Sequence, residues 1–138
     1  MFSMNELTEA VIGACIEVHK HTGAGLPEST YLKCLCRELT LRGISYEPEY
    51  PLPVNYKGIL RDCGYRIDLL IDKRLVLELK TIEKILPIHE AQLLTYLRLG
   101  NWEVGLLINF NVEVLRLGIK RIVNNFQESA SAPSAPLR

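Results

Sequence analysis

Apolar positions near the start of the chain recur at three- and four-residue intervals. Leu7, Val11, Ala14, Cys15 and Val18 fall on one stripe and predict a helix over Asn5–Lys20. His19, Lys20 and His21 stand where a helix C-terminus favours positive charge, and Gly23 can close it. The two histidines, two residues apart, point to different faces of a helix, which argues against a shared metal. A Gly23-Ala24-Gly25 turn leads to a second predicted helix from Pro27 to about Arg42, stopped by Gly43. Beyond Gly43 the period changes to two. Ile44–Tyr50 and Leu52–Tyr56 read as extended, and Pro48, Pro51 and Pro53 confine them to a sheet edge or a bulge. Tyr65–Ile71 and Leu75–Lys80 are the strongest strands. A third helix is expected from Pro87 to Leu99, ended by Gly100-Asn101, then a buried strand over Trp102–Asn109 and another over Val112–Leu117. This order describes an α/β chain (α+β-like where strands follow one another directly) with a mixed central β-sheet flanked by helices.

Length and composition sharpen this only modestly. The 138 residues fit one domain, expected over residues 1–126, with the Ser-, Ala- and Pro-rich segment 127–138 as a frayed tail. Sixteen basic residues balance sixteen acidic ones, so a nucleic-acid partner must be recognised through a local patch rather than a global positive field. Arg61, Arg66, Lys84, Lys120 and Arg121 are the candidate phosphate contacts. Cys15, Cys34, Cys36 and Cys63 lack the spacing of a zinc site and are expected as buried or partly buried thiols in a reducing compartment. No apolar run approaches the ~18 residues of a membrane span, and no leader pattern opens the chain, so the expected location is cytoplasmic, with no membrane partner.

Candidate chemistry lies on the hairpin. On its first strand Tyr65, Ile67, Leu69 and Ile71 share one face, and Arg66, Asp68 and Leu70 the other. On the second, Leu75, Leu77 and Leu79 oppose Val76, Glu78 and Lys80. If the apolar faces coincide to make a core, Asp68, Glu78 and Lys80 share the remaining side. A three-residue connection, Asp72 to Arg74, would set Asp68 directly opposite Glu78, whereas a two-residue turn would mix polar with apolar. Two carboxylates that close repel unless a cation lies between them or one takes a proton. Hard oxygen donors without clustered His or Cys favour Mg²⁺ or Mn²⁺ over zinc. Lys80, projecting beside Glu78, could hold a water and neutralise charge gathering on a phosphodiester. The bland alternative is a surface hairpin whose charges merely pair with one another.

Three motifs in order bear on that choice. Asp68…Glu78-Leu79-Lys80 resembles the D…ExK signature of the PD-(D/E)XK phosphodiesterases, with Ile67 where that superfamily often has proline. Gly25-Leu26-Pro27-Glu28-Ser29-Thr30-Tyr31 resembles the pattern that names the GxxExxY proteins, a group assigned to that superfamily. Gln92-Leu93-Leu94-Thr95-Tyr96 resembles the QxxxY helix of its RecB-like and lambda-exonuclease-like branches. The resemblance spans about Asn5 to Asn124 and implies a restriction-endonuclease-like core, a metal-dependent nuclease activity and a nucleic-acid substrate, DNA foremost. It further implies that Asp68, Glu78 and the Leu79 carbonyl bind Mg²⁺ with help from Glu28, that Lys80 positions water, and that Gln92 and Tyr96 orient the lysine or a phosphate. His89, one turn before Gln92, reads rather as part of a helix N-terminal surface. So short a nuclease covers little duplex by itself, which leaves a homodimer open. The rival reading is a non-catalytic nucleic-acid or protein-binding module that kept the fold. A further rival, an iron- or redox-linked protein using the four cysteines, has little in their spacing to support it.

Overall fold

A computed structural model describes residues 2–125, so the expected tail over 127–138 lies outside the described residues. The first helix, α1, runs Met4–Thr22. Ser3 starts it with a reciprocal cap: its hydroxyl accepts from the Glu6 N–H, and the Glu6 carboxylate accepts from the Ser3 N–H. The second helix, α2, runs Glu28–Leu41 and buries Tyr31, Leu35 and Leu39. Both helices pack on one face of a five-stranded sheet whose strands are β1 (Tyr46–Pro51), β4 (Arg66–Ile71), β5 (Leu75–Lys80), β6 (Val104–Asn109) and β7 (Ile119–Val123), in that spatial order. Neighbours are antiparallel except β5 and β6, which are parallel and joined by the crossover helix α3 (Pro87–Gly100). The proline-bearing strand β1 lies at the sheet edge, where a missing N–H is harmless.

The sheet is buried on both faces. Leu7, Val11, Tyr31 and Leu35 meet Leu69, Ile71, Leu77, Leu79 and Ile108 on one side, while α3 lays Leu93 and Leu97 on Ile67, Leu70, Val76 and Leu107 on the other. Each such fully buried aliphatic side chain contributes about 1.5–3 kcal/mol. This corrects the expected hairpin with one core face and one charged face: α3 covers the second face, and Glu78 is only 6% exposed. The strict alternation fails as well, because Ile67 packs with Leu70 and Val76 instead of Leu69 and Ile71. The break falls at Asp68. There the β1–β4 pairing steps from Pro48↔Leu69 to Tyr50↔Ile67, leaving Glu49 and Asp68 out of the ladder, and Glu49 takes a left-handed φ of 52°.

The connection between β4 and β5 has the three residues the pattern required, with Leu69↔Leu77, Leu70↔Val76 and Ile71↔Leu75 in register. Other expectations shift. Leu52–Tyr56 is not one strand: Leu52 is buried, and Val54–Tyr56 (β2) pairs with a short strand Ile59–Arg61 (β3) in a separate ribbon. Trp102 precedes its strand, its ring filling the space where a Cβ on Gly100 would stand. The expected strand Val112–Leu117 gives way to a 3₁₀ turn over Leu115–Gly118, and the strand follows as β7. Long-range contacts force this. Buried His19 uses Nε2 to bond the Phe110 and Val112 carbonyls, and Gly118 passes so close to the Asn109 carbonyl that a Cβ there would lie 2.3 Å from it. The cysteines are free, but Cys63, in the loop before β4, is exposed rather than buried. Burial pushes the Cys15 thiol up to about 12, which makes it inert. No described helix is long and apolar enough to cross a membrane.

Candidate active site

Asp68 and Glu78 sit where the β4–β5 ladder opens. The last paired residues are Leu69 and Leu77. One step further, side chains replace main-chain bonds between the strands. The Asp68 N–H donates to Glu78 Oε2 at 3.0 Å, and the Leu79 N–H donates to Asp68 Oδ2 at 2.7 Å. Each carboxylate therefore spends one oxygen on the opposite strand's main chain. Among the described residues no hydrogen bond reaches Asp68 Oδ1 or Glu78 Oε1. The N–H and C=O of one residue in a strand point to the same edge, so the Leu79 carbonyl opens on the same gap.

This placement makes negative charge costly. Burial pushes the Glu78 carboxyl up to about 8, with the neighbouring Asp68 adding to it and the Asp68 N–H and Lys80 pulling back. Asp68 is raised too, first by burial and then by Glu28 and Glu49, against the opposing Leu79 N–H and Lys80. Lys80 is half-buried at the end of β5, and its main-chain carbonyl is fixed by the Phe110 N–H at 2.9 Å. Its ammonium forms no ion pair among the described residues, so it stands near the carboxylates without being spent on either.

Glu28 is brought in by its helix. It is the first residue of α2 and, with Ser29, Leu32, Glu49, Asp68 and Leu79, lines a cavity of about 300 Å³. Tyr31 sets that helix start. Fully buried, it stacks on Phe110, and its hydroxyl donates to the Gly23 carbonyl while accepting from the Leu26 N–H. Gly25 turns the chain there at φ 96°, a conformation that a side chain resists. The three named positions of the Gly25–Tyr31 motif thus have separate jobs: a turn, a carboxylate at the cavity and an anchor.

Glu49 was missed by the sequence reading. The one signal was its place between Pro48 and Pro51, where a bulge was expected. Such sparsely populated backbone persists only where surrounding structure enforces it, and it clusters at functional sites.

The helix α3 borders the site from the other face. Tyr96 is half-buried, and its hydroxyl is pushed up by burial and then by Glu78, Tyr65 and Asp68. With Tyr65, Ile88, His89, Gln92 and Thr95 it lines a second cavity of about 360 Å³. Gln92 is exposed and makes no hydrogen bond to Lys80. His89 caps its helix, Nδ1 accepting from the Leu86 N–H. Of the basic candidates, Arg61 and Arg66 flank the entrance to β4, whereas Lys120 pairs with Glu90 at 3.8 Å and Arg121 bonds Asn5 on the α1 side.

A family model described as the PD-(D/E)XK nuclease superfamily matches residues 5–122. The chain belongs to that superfamily. Its matched span contains Glu28, Glu49, Asp68, Glu78, Lys80, Gln92 and Tyr96. The crystal structure of SSO0001 is similar at 23% identity and a TM-score of 0.46, over 88% of this chain and 80% of that one. No curated protein matches. The mixed sheet with helices on both faces is consistent with a PD-(D/E)XK nuclease core.

PD-(D/E)XK nucleases generally use Mg²⁺ or Mn²⁺, and the donor set here suits a hard divalent ion: carboxylate oxygens and a main-chain carbonyl, with no imidazole or thiolate among the cavity's lining residues. Among the described residues no three His, Cys, Asp or Glu side chains already gather closely enough to hold an ion. The prebuilt part is the Asp68–Glu78 pair, with one oxygen of each fixed and Glu28 and Glu49 at its rim.

Proposed function

We propose that this protein is a metal-dependent phosphodiesterase that hydrolyses nucleic acid, DNA foremost, in the cytoplasm, and that it falls in the GxxExxY group of its superfamily. The observation that carries this is the reciprocal pair of bonds from the Asp68 and Leu79 N–H groups, which fixes buried Glu78 and half-buried Asp68 against each other beside an uncommitted lysine. A pair of carboxylates held that way is costly to ionise unless a cation offsets the charge, and without one Glu78 keeps its proton up to about 8.

Asp68, Glu78 and the Leu79 carbonyl would hold Mg²⁺ or Mn²⁺, with Glu28 helping directly or through water. A bound ion of this kind polarises a phosphoryl oxygen and lowers the pKa of water. Lys80 positions the attacking water and offsets negative charge developing on the phosphate. Gln92 and Tyr96, on the α3 side, orient the substrate strand or the lysine. A homodimer would let so small a domain cover more duplex.

Calorimetric titration of Mg²⁺ and Mn²⁺ into wild type, Asp68→Ala and Glu78→Ala, with cleavage assayed on the same samples, tests the reading. Binding abolished by both substitutions, with metal-dependent cleavage by wild type, is the expected result. Binding without cleavage would convert the protein to a binding module that kept the fold. No binding would reduce the pair to a structural device.

A further inference from the structure

The ribbon of β2 and β3 stands apart from both cores. No side chain of residues 55–60 belongs to either, and Tyr56, Ile59 and Leu60 are 66%, 51% and 65% exposed. Its tip is stiff. Lys57 and Gly58 both take left-handed φ, 51° and 87°, the two-residue hairpin turn that matches strand twist, and Asn55 Oδ1 accepts the Gly58 N–H. Its base is anchored at the site. The Leu52 N–H donates to the Tyr65 carbonyl, Leu52 is buried under α3, and Tyr65 packs against Tyr96 with ring centroids 6.4 Å apart. Arg66 then begins β4, two residues before Asp68. The base of the ribbon therefore adjoins the strand that carries Asp68.

Charge and size indicate the occupant. Residues 52–66 carry Lys57, Arg61 and Arg66 against Asp62 alone, a surplus of two positive charges in a chain whose charges cancel. Strands of three residues extend about 10 Å at roughly 3.4 Å per residue. That length suits the B-DNA major groove, which is about 8.5 Å deep and admits a two-stranded ribbon. The major groove of A-form RNA is too narrow for side chains to read. Self-association fits less well, since a two-fold interface built on this ribbon would set its own positive patch against itself.

We propose that the β2–β3 ribbon is a duplex-DNA clamp that enters the major groove beside the candidate active site, an inference that rests on the nuclease reading above. Lys57 and Arg61 contact phosphates, and Tyr56 and Ile59, which share a face of the ribbon, meet base edges and thymine methyls.

The test is fluorescence anisotropy of the full chain with a short labelled DNA duplex, in EDTA so that hydrolysis cannot intervene, across a salt series. Lys57→Ala/Arg61→Ala should weaken binding by about tenfold or more and reduce the slope of log affinity against log salt by about 2. Tyr56→Ser/Ile59→Ser should weaken binding with the salt slope unchanged, and Lys20→Ala on α1 should change neither. These side chains lie outside both cores, so thermal melts should match wild type. Ribbon variants that bind as wild type does would overturn the clamp, as would duplex RNA binding equally well. So would a wild-type dimer, seen by light scattering, that the ribbon variants dissociate without loss of DNA affinity. Cleavage by wild type in Mg²⁺ is scored separately. A protein that binds through the ribbon yet cleaves nothing keeps the clamp and loses the nuclease reading. One that cleaves with ribbon variants unimpaired keeps the nuclease and loses the clamp.

Discussion

The ring of Tyr31 lies stacked on that of Phe110, centroids 4.3 Å apart and planes within 12° of parallel, and this contact ties the start of α2 to the end of β6. Phe110 is itself held by its N–H to the Lys80 carbonyl. One aromatic pair therefore fixes the helix that carries Glu28 relative to the strand that carries Glu78 and Lys80. Tyr31→Ala should cost about 3–5 kcal/mol by emptying a fully buried aromatic site. Tyr31→Phe keeps the stack but strands the Gly23 carbonyl and Leu26 N–H, for a loss of about 1 kcal/mol. Urea unfolding of both variants measures the difference, and a Tyr31→Phe protein as stable as wild type would show that the hydroxyl contributes nothing.

Stability of the metal-free protein should fall with rising pH. In the folded chain the Glu78 carboxyl keeps its proton up to about 8, against an ordinary value of 4.5 when unfolded. Between those values the folded state binds more protons than the unfolded one, so stability is full below 4.5 and is lost as pH climbs towards about 8. The upward shift of Asp68 acts in the same direction. Unfolding midpoints in EDTA across this window should slope downward, and Glu78→Gln should flatten them. Added Mg²⁺ should recover stability at the upper end, because it binds only the folded, charged pair. A flat wild-type profile would contradict the burial argument.

Lys80→Ala should abolish hydrolysis, lowering the single-turnover rate by about a hundredfold or more, while calorimetry finds cation binding largely retained. That split separates a water-positioning lysine from one that merely balances charge, whose loss would raise the carboxylates further and weaken binding. Retained cleavage would remove Lys80 from the mechanism.

Glu49→Gly offers readouts of opposite sign. Glycine accepts the left-handed φ of 52° without the side-chain penalty, so stability should rise by about 1 kcal/mol. The same change takes a carboxylate from the cavity shared with Glu28 and Asp68, so affinity for Mn²⁺ should fall. Thermal melts and calorimetry on one preparation suffice, and unchanged affinity would leave Glu49 a strained bystander.

Periodicity alone determined much of this protein. The three helices, the edge position of the proline-rich strand and the three-residue connection that sets Asp68 opposite Glu78 were legible because each rests on local spacing or on a parity argument within one hairpin. Tertiary structure decided what depends on contacts far along the chain. α3 lies on the second face of the sheet, so Glu78 is buried and Asp68 half-buried, a degree of enclosure that alternation along one hairpin leaves open. Glu49 meets Asp68 only because β1 pairs with β4 across the intervening ribbon, and no spacing in the sequence encodes that. The turn over Leu115–Gly118 formed where a strand was expected because His19, from the first helix, holds the Phe110 and Val112 carbonyls. Local pattern fixes which way a side chain points along its own element. What it meets there is fixed by packing between elements, and at this site packing supplies the burial that gives the Asp68–Glu78 pair its chemistry.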